Sequence, residues 1–143
     1  MLQLRAPAKL NLSLRVIGRR PDGYHELETL FERISLADEL TVALQPRGVT
    51  LTCDNPALSC GEDNLIVRVA RLMQTTFGVT PGAAIHLTKR IPIAAGLGGG
   101  SSDAATTLVG LNRLWNTRRS TAQLCELAAQ VGSDVPFFLQ PHP

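Results

Sequence analysis

The sequence lacks the features that mark several large classes of protein. Its 14 basic and 12 acidic residues leave a formal net charge of only +2. The basic residues occur singly or in pairs, so we expect no nucleic-acid partner. No apolar run approaches the length that crosses a bilayer, and the first residues contain no signal-peptide core. We therefore expect no membrane partner and a cytoplasmic location.

Cysteine is also scarce, with three residues in 143 and neither a C-x-x-C pair nor a histidine at ligand spacing. An odd, scattered set fits reduced thiols better than a disulfide framework or a zinc site. The sequence does have enough apolar material for a core, because 44% of its residues are hydrophobic and 18% are charged. Its length and composition predict one globular domain without internal repeats.

The sequence pattern of the first third of the chain predicts mainly β-strands. From Leu2 to Val16 the even positions are apolar and the odd positions mostly polar, which predicts one strand bent at Pro7 or two strands. Over residues 27–34 the apolar spacing favours a helix, although the same side chains could line one face of a strand. Further short strands are predicted around residues 41–44 and 49–53.

The rest of the chain alternates helices with strands. Asn64 opens a predicted helix that Gly78 ends. A strand at residues 84–88 leads into a glycine-rich segment and a second helix. Ser120 and Gln123 form a capping box for a third helix, and Phe137 is predicted to begin a last strand. Early strands followed by interspersed helices predict an α+β domain.

The segment 91–103 (IPIAAGLGGGSSD) is the strongest chemical signal in the sequence. It joins a strand to a helix, and its glycines allow the backbone to approach a ligand and point successive N–H groups at it. The N-terminus of the following helix favours a phosphate. Ser101 and Ser102 could cap that helix, or turn a hydroxyl toward a phosphate or its metal ion. The pattern matches neither a Walker A loop nor a dinucleotide fingerprint, so a flexible linker remains an alternative.

Two other segments supply the remaining parts of a phosphorylation site. Residues 7–11 (PAKLN) place Lys9 and Asn11 on one face of a strand. Residues 132–136 (GSDVP) place Asp134 in a turn after a helix. Each segment also has an ordinary explanation, because Lys9 could face solvent and Asp134 could be an aspartate of a turn. Together with a phosphate loop, they supply the positive charge, proton acceptor and anion cradle that phosphorylation of a hydroxyl requires.

These segments, in this order and with residues 62–65 (EDNL), resemble the GHMP kinases, the superfamily of galactokinase, homoserine, mevalonate and phosphomevalonate kinases. Residues 20–25 (RPDGYH) resemble one branch, which phosphorylates a cytidine diphosphate-linked methylerythritol in the non-mevalonate isoprenoid pathway. The resemblance implies that residues 1–143 form the N-terminal, ATP-binding domain, a mixed sheet packed against helices like domain 2 of ribosomal protein S5. It also implies that residues 27–34 form a strand, and that a C-terminal domain is missing from this chain.

The resemblance also implies roles for individual residues, with ATP and Mg²⁺ as cofactors and no metal ligand assigned. Lys9 and Asp134 match the catalytic pair, and Asn11, Tyr24 and His25 match the substrate side, where the aromatic ring packs on cytosine. The nucleotide-binding matches are Asn64, Lys89, Pro92, Ile93, Ala94, Ala95, Gly96, Leu97, Gly98, Gly99, Gly100, Ser101 and Ser102. Ala94 and Ala95 stand where the family usually has glycines. Two alternatives stay open: a nucleotide-binding fragment without turnover, and a GHMP kinase for another alcohol.

Overall fold

The computed structural model describes residues 1–19 and 25–141, with the side chains of residues 1–12 and 31–141. One mixed sheet runs through it in the order β1-β2-β4-β3. Its strands are β1 (Leu2–Arg19), β2 (His25–Gln45), β3 (Val49–Cys53) and β4 (Gly82–Thr88). β1 and β4 both pair antiparallel with β2, whereas β3 pairs parallel with β4. The predicted α+β class with a mixed sheet is confirmed.

Three α-helices and a short 3₁₀ helix complete the described chain. They are α1 (Leu65–Phe77), α2 (Gly99–Leu114), α3 (Thr121–Val131) and the 3₁₀ helix (Val135–Leu139). α1 begins and ends where the sequence predicted, because Asn64 accepts the N–H of Ile66 and Gly78 is left-handed. Among residues 1–19 and 25–141, no helix is both long and apolar enough to cross a bilayer.

The core lies between the sheet and the helices. α2 packs against β1, β2 and α1, and its buried residues include Leu108 and Leu111. Facing them are fully buried sheet residues such as Leu40 and Leu87, together with Met73 of α1. The helix that follows the glycine-rich segment is therefore held on the sheet over its length, which fixes the position of its first turn.

A β-bulge in β1 reverses the predicted pattern of buried and exposed side chains. The register of β1 on β2 shifts between Pro7 and Lys9. Ala6 and Ala8 are buried as the alternation predicts, but beyond the shift Lys9 is buried and Leu10 is exposed. A bulge inserts one residue in one strand, and a slip of one residue turns every later side chain to the other face. Pro7 is tolerated because β1 lies at the edge of the sheet.

Two secondary-structure predictions from periodicity are wrong. Residues 27–34 lie within β2, as the family resemblance implied and against the helical spacing. The strand predicted from Phe137 is a 3₁₀ helix with Pro136 in its first turn. Its aromatic side chains do not alternate across a sheet. The ring of Phe137 instead packs edge-on against Phe31 of β2, with ring centroids 5.2 Å apart.

The capping box at the start of α3 offers a direct test of the local sequence signals. The Ser120 hydroxyl accepts the N–H of Gln123 at 3.2 Å, and the Gln123 side chain accepts the N–H of Ser120 at 2.9 Å. We expect Ser120→Ala to lower the free energy of unfolding by about 1 kcal/mol in a denaturant titration, because one N–H group loses its acceptor. Ser133→Ala is the control, since no hydrogen bond of the Ser133 hydroxyl occurs in the described chain. Equal effects of the two changes would contradict the cap.

Candidate active site

A cleft of about 470 Å³ lies beside the glycine-rich segment. Residues 92–101 line one part of it, and the segment that leads into α1 lines another, through Leu58, Ser59, Asp63, Asn64 and Leu65. The N-termini of α1 and α2 thus border the same space. Each terminus contributes unpaired N–H groups and the positive end of a helix dipole, so the cleft favours an anion.

The backbone of residues 92–98, called the glycine loop below, repeatedly enters the left-handed region. Positive φ angles occur at Ala94 (59°), Gly96 (74°) and Gly98 (70°). Within the described chain, the N–H groups of residues 96–101 donate no hydrogen bond. Successive free N–H groups in this kind of backbone form an anion-binding concavity. Ala94 adopts a φ that glycine tolerates better than alanine does.

The two serines after the glycines do not cap α2, contrary to one of the predicted options. The helix begins at Gly99, and its N-cap is Gly98, which makes no side-chain cap. Ser101 lines the cleft from the first turn. Ser102 is fully buried, and its hydroxyl oxygen has no hydrogen-bond partner in the described chain. Of the two, only Ser101 is placed to meet a ligand in the cleft.

Lys9 lies against the glycine loop. Its backbone N–H donates to the carbonyl of Leu97 at 2.9 Å, so the loop adds to the free edge of β1. Its ammonium donates to the Asn11 carboxamide at 2.7 Å and lies 4.5 Å from the centre of the Phe31 ring. A Cβ at Gly98 would come within 3.1 Å of the Lys9 side chain. The bulge in β1 therefore turns a buried cation toward the loop.

Asp134 stands at the N-cap of the 3₁₀ helix and is half-buried. Its carboxylate makes no hydrogen bond or ion pair within the described chain, and in particular no ion pair with Lys9. The 3₁₀ helix is held by Arg33 of β2, whose guanidinium donates to the carbonyls of Phe137 at 2.9 Å and Gln140 at 2.5 Å. The helix that presents Asp134 is thus tied to the strand beside β1, and the carboxylate itself stays available.

Lys89 takes part in a buried cluster of charges that the sequence did not reveal. Its ammonium lies 2.7 Å from a carboxylate oxygen of Asp38 and 3.1 Å from one of Asp103. All three side chains are at most 4% exposed. Lys89 was predicted beside the adenine, and it does line the cleft, but its charged end is engaged by the two aspartates.

The cluster would carry a net negative charge if both carboxylates were ionised. Burial raises the pKa of Asp103 to about 8, reinforced by its hydrogen bond with Asp38 and opposed by the charge of Lys89. Burial also acts to raise the pKa of Asp38, but its hydrogen bonds with Asp103, Lys89 and two backbone N–H groups outweigh this and lower it. Near neutral pH, Asp103 therefore holds a proton, and Lys89 is balanced by Asp38.

The structure brings most of the predicted site residues to one place. The glycine loop, Ser101, Asn64 and Lys89 line one cleft, and Lys9 packs against the loop. Both polar atoms of the Asn64 side chain hold the start of α1, since its oxygen accepts from Ile66 and its nitrogen donates to Ser59. Tyr24 and the side chain of His25 lie outside what the structure describes, so the predictions for them stay untested.

Sequence reasoning missed Asp38 and Asp103. Asp103 carried a weak signal, because it is an acidic residue among the small and apolar residues of a buried helix face. Asp38 lies in a strand next to one other acidic residue, Glu39, and gave no signal. Its role depends on residues more than 50 positions away.

Comparisons with known proteins place the chain in a family. Residues 64–141 match the family described as the GHMP kinases N terminal domain, which is more than half of the chain. The chain therefore belongs to the GHMP kinases. Solved structures of lower identity share the fold alone, among them a mevalonate kinase at 16% identity and a TM-score of 0.72, covering 92% of this chain and 46% of that one.

Relatives at about 50% identity come from one branch of the family. The chain is 52% identical over 96% of its length to a 4-diphosphocytidyl-2-C-methyl-D-erythritol kinase from Synechococcus sp. (strain CC9605), and spans 45% of it. It is 51% identical to the kinase of that name from Pseudomonas syringae pv. tomato, covering 99% of this chain and 50% of that one. A crystal structure of 4-(cytidine 5'-diphospho)-2C-methyl-D-erythritol kinase superposes with a TM-score of 0.83 at 47% identity, over 96% of this chain and 48% of that one. The chain spans about half the length of these relatives.

A pair of glycine substitutions separates backbone strain from contact with Lys9. Gly96 and Gly98 have nearly the same φ, but a Cβ meets nothing within 4 Å at Gly96 and meets Lys9 and Phe138 at 3.0–3.1 Å at Gly98. Each change to valine should therefore cost about 2 kcal/mol of backbone strain. Only Gly98→Val should also force the Lys9 and Phe138 side chains to move, so in a denaturant titration it should lower the free energy of unfolding by about 1 kcal/mol or more beyond the loss in Gly96→Val. Equal losses in the two variants would show that this contact is unimportant.

The raised pKa of Asp103 in the buried cluster predicts a pH-dependent stability. Asp103 has an ordinary pKa of 3.8 and a folded-state pKa of about 8, so the folded protein keeps a proton that the unfolded chain releases. Its contribution to stability is full below the ordinary pKa and is lost as the pH rises through about 8. Asparagine matches a protonated aspartate in shape and cannot titrate. Asp103→Asn should therefore gain stability relative to the parent as the pH rises from about 4 to about 8 in thermal melts, with no further gain above that range. A constant difference between the two proteins from about pH 4 to about pH 8 would contradict the raised pKa.

Proposed function

We propose that this chain is the ATP-binding half of a kinase for 4-diphosphocytidyl-2-C-methyl-D-erythritol in the non-mevalonate isoprenoid pathway. The observation that carries the proposal is the glycine loop, which borders the cleft together with the N-terminus of α2 and packs against Lys9. Within the described chain, the N–H groups of residues 96–101 have no acceptor and are free to bind phosphates. The names of the relatives at about 50% identity support the substrate. Residues 1–143 then form one N-terminal domain, and a C-terminal domain completes the enzyme.

The reaction transfers the γ-phosphoryl group of ATP to the 2-hydroxyl of the substrate. The hydroxyl oxygen bonds to the γ-phosphorus, the bond from that phosphorus to the β-phosphate oxygen breaks, and ADP leaves. The N–H groups of residues 96–101 balance the charge on the phosphates as it moves toward ADP. Asp134 accepts or orients the hydroxyl proton, and no group of the described residues engages its carboxylate. Lys9, buried against the loop, holds positive charge beside the transferred group.

The remaining predicted residues keep their proposed roles. Asn64 and Lys89 border the adenine side of the cleft, where Asn64 shapes the wall by capping α1. Asn11, Tyr24 and His25 bind the substrate, with the tyrosine ring on cytosine and the imidazole at its polar edge. The cysteines of the described chain are free thiols, which supports the proposed cytoplasmic location.

Magnesium is the proposed metal of this reaction. Mg²⁺ takes few ligands from the protein when nucleotide phosphates and water supply the rest. The donors present fit this need, because the Ser101 hydroxyl lines the cleft on the first turn of α2. Ser101 would hold the ion together with phosphate oxygens. When bound, the ion neutralises phosphate charge and orients the γ-phosphoryl group.

The proposal is tested with the full-length protein, ATP and the cytidine diphosphate-linked substrate. We expect Asp134→Asn to lower the turnover number by about 10²–10⁴-fold while ATP affinity stays unchanged, because the amide keeps the shape and cannot accept the proton. Glu126→Gln on the exposed side of α3 is the control and should keep full activity. Unchanged turnover in Asp134→Asn would remove this residue from the mechanism. If the parent protein forms no ADP with this substrate and does so with another alcohol, the substrate assignment is wrong.

A further inference from the structure

We propose that Asp38 is a positioning residue for the phosphates of the nucleotide, acting through both ends of the glycine loop. The inference rests on the proposed function, because it concerns how the same cleft binds ATP. Asp38 itself lies in β2 and does not line the cleft. Its contacts link the strand to the residue before the loop and, through Lys89, to the helix after it.

One carboxylate oxygen of Asp38 holds the first end of the loop. β4 ends at Thr88, so the following N–H groups leave the ladder of the sheet. Asp38 Oδ1 accepts the N–H of Arg90 at 2.7 Å and that of Ile91 at 2.8 Å. Buried N–H groups need acceptors, and here a single carboxylate serves two of them. The direction in which the chain enters the loop is thereby fixed by β2.

The second oxygen of Asp38 reaches the other end of the loop through Lys89. Asp38 Oδ2 accepts from the Lys89 ammonium, which also donates to Asp103 in α2. The ammonium lies directly under Gly99, the first residue of α2, where a Cβ would be 2.9 Å from Nζ. Ile91 packs on the same glycine, with its Cγ2 3.0 Å from that Cβ position. The spacing between Ile91 and Gly99 is therefore set by groups that Asp38 holds.

This arrangement explains why the loop can keep its N–H groups unpaired. Residues 92–96 are exposed, and the loop has few contacts of its own apart from the bond of Leu97 to Lys9. A loop with free donors and strained φ angles adopts one conformation only when its surroundings fix its ends. The charges that do so are buried and hydrogen-bonded to each other, so solvent and salt screen them little.

The test compares ligands with and without phosphates in the full-length protein. By calorimetric titration, Asp38→Ala should bind ATP at least about tenfold more weakly than the parent, since a small displacement of the loop misaligns several donors together. Binding of adenosine, which has no phosphate, should be unchanged. If Asp38→Ala does not fold, Asp38→Asn provides the same comparison, because it keeps an oxygen acceptor but loses the charge that holds Lys89.

A control variant separates positioning from general loss of stability. Leu124→Ala removes a buried side chain of α3 away from the loop, and it should lower the melting temperature without changing the ratio of ATP to adenosine affinity. The proposal is overturned if Leu124→Ala changes that ratio as much as the Asp38 variants do, or if those variants bind ATP as the parent does. If the parent itself binds no ATP, the proposed function fails as well.

Discussion

The ion pair between Asp38 and Lys89 connects parts of the site that lie far apart in the sequence. Asp38 belongs to the middle of the sheet, Lys89 to the exit from β4, and Asp103 to the second turn of α2. A buried ion pair adds little stability by itself, because desolvation of both charges offsets their attraction. Its effect here is geometric: it fixes where the chain leaves the sheet and where the helix begins.

The polar cluster and the glycine loop impose opposite demands on the same few residues. The cluster needs its buried charges balanced, and the proton on Asp103 lets one lysine serve two carboxyl groups. The loop needs its N–H groups unpaired and directed into the cleft. Glycine at position 99 meets both demands, because the Lys89 ammonium occupies the space that a side chain would take. Glycine therefore fits these positions for different physical reasons. Gly96 and Gly98 have a positive φ, and Gly99 has no room for a side chain.

A second constraint comes from the bulge in β1. Without the register shift after Pro7, alternation would place Lys9 on the face opposite the buried alanines. The shift buries Lys9 against the glycine loop and leaves Leu10 and Leu12 exposed. Arg33 and the aromatic contact of Phe31 with Phe137 then bring the 3₁₀ helix, and with it Asp134, to the same side of the sheet. The β-bulge in β1 thus decides which of these side chains lie close together.

The sequence by itself determined the elements whose signals are local. The cap at Asn64, the stop at Gly78 and the capping box at Ser120 depend on residues within a few positions, so they could be identified before any fold was known. The glycine-rich segment likewise predicted a turn that leads into a helix. Local signals failed for residues 27–34 and for Phe137, because apolar spacing there fits more than one secondary structure. Contacts with other elements decide which of these structures forms.

Only the tertiary structure decided which charged residues meet. Asp38 pairs with Lys89 across 51 positions, and Arg33 bonds to Phe137 across 104, distances over which sequence spacing carries no geometric information. The faces of β1 likewise followed from its pairing with β2, because a bulge exists only relative to a partner strand. The sequence determined that a glycine-rich loop precedes a helix. The pairing of strands and the burial of Asp38, Lys89 and Asp103 determined how that loop is held, since both depend on contacts between segments distant in the chain.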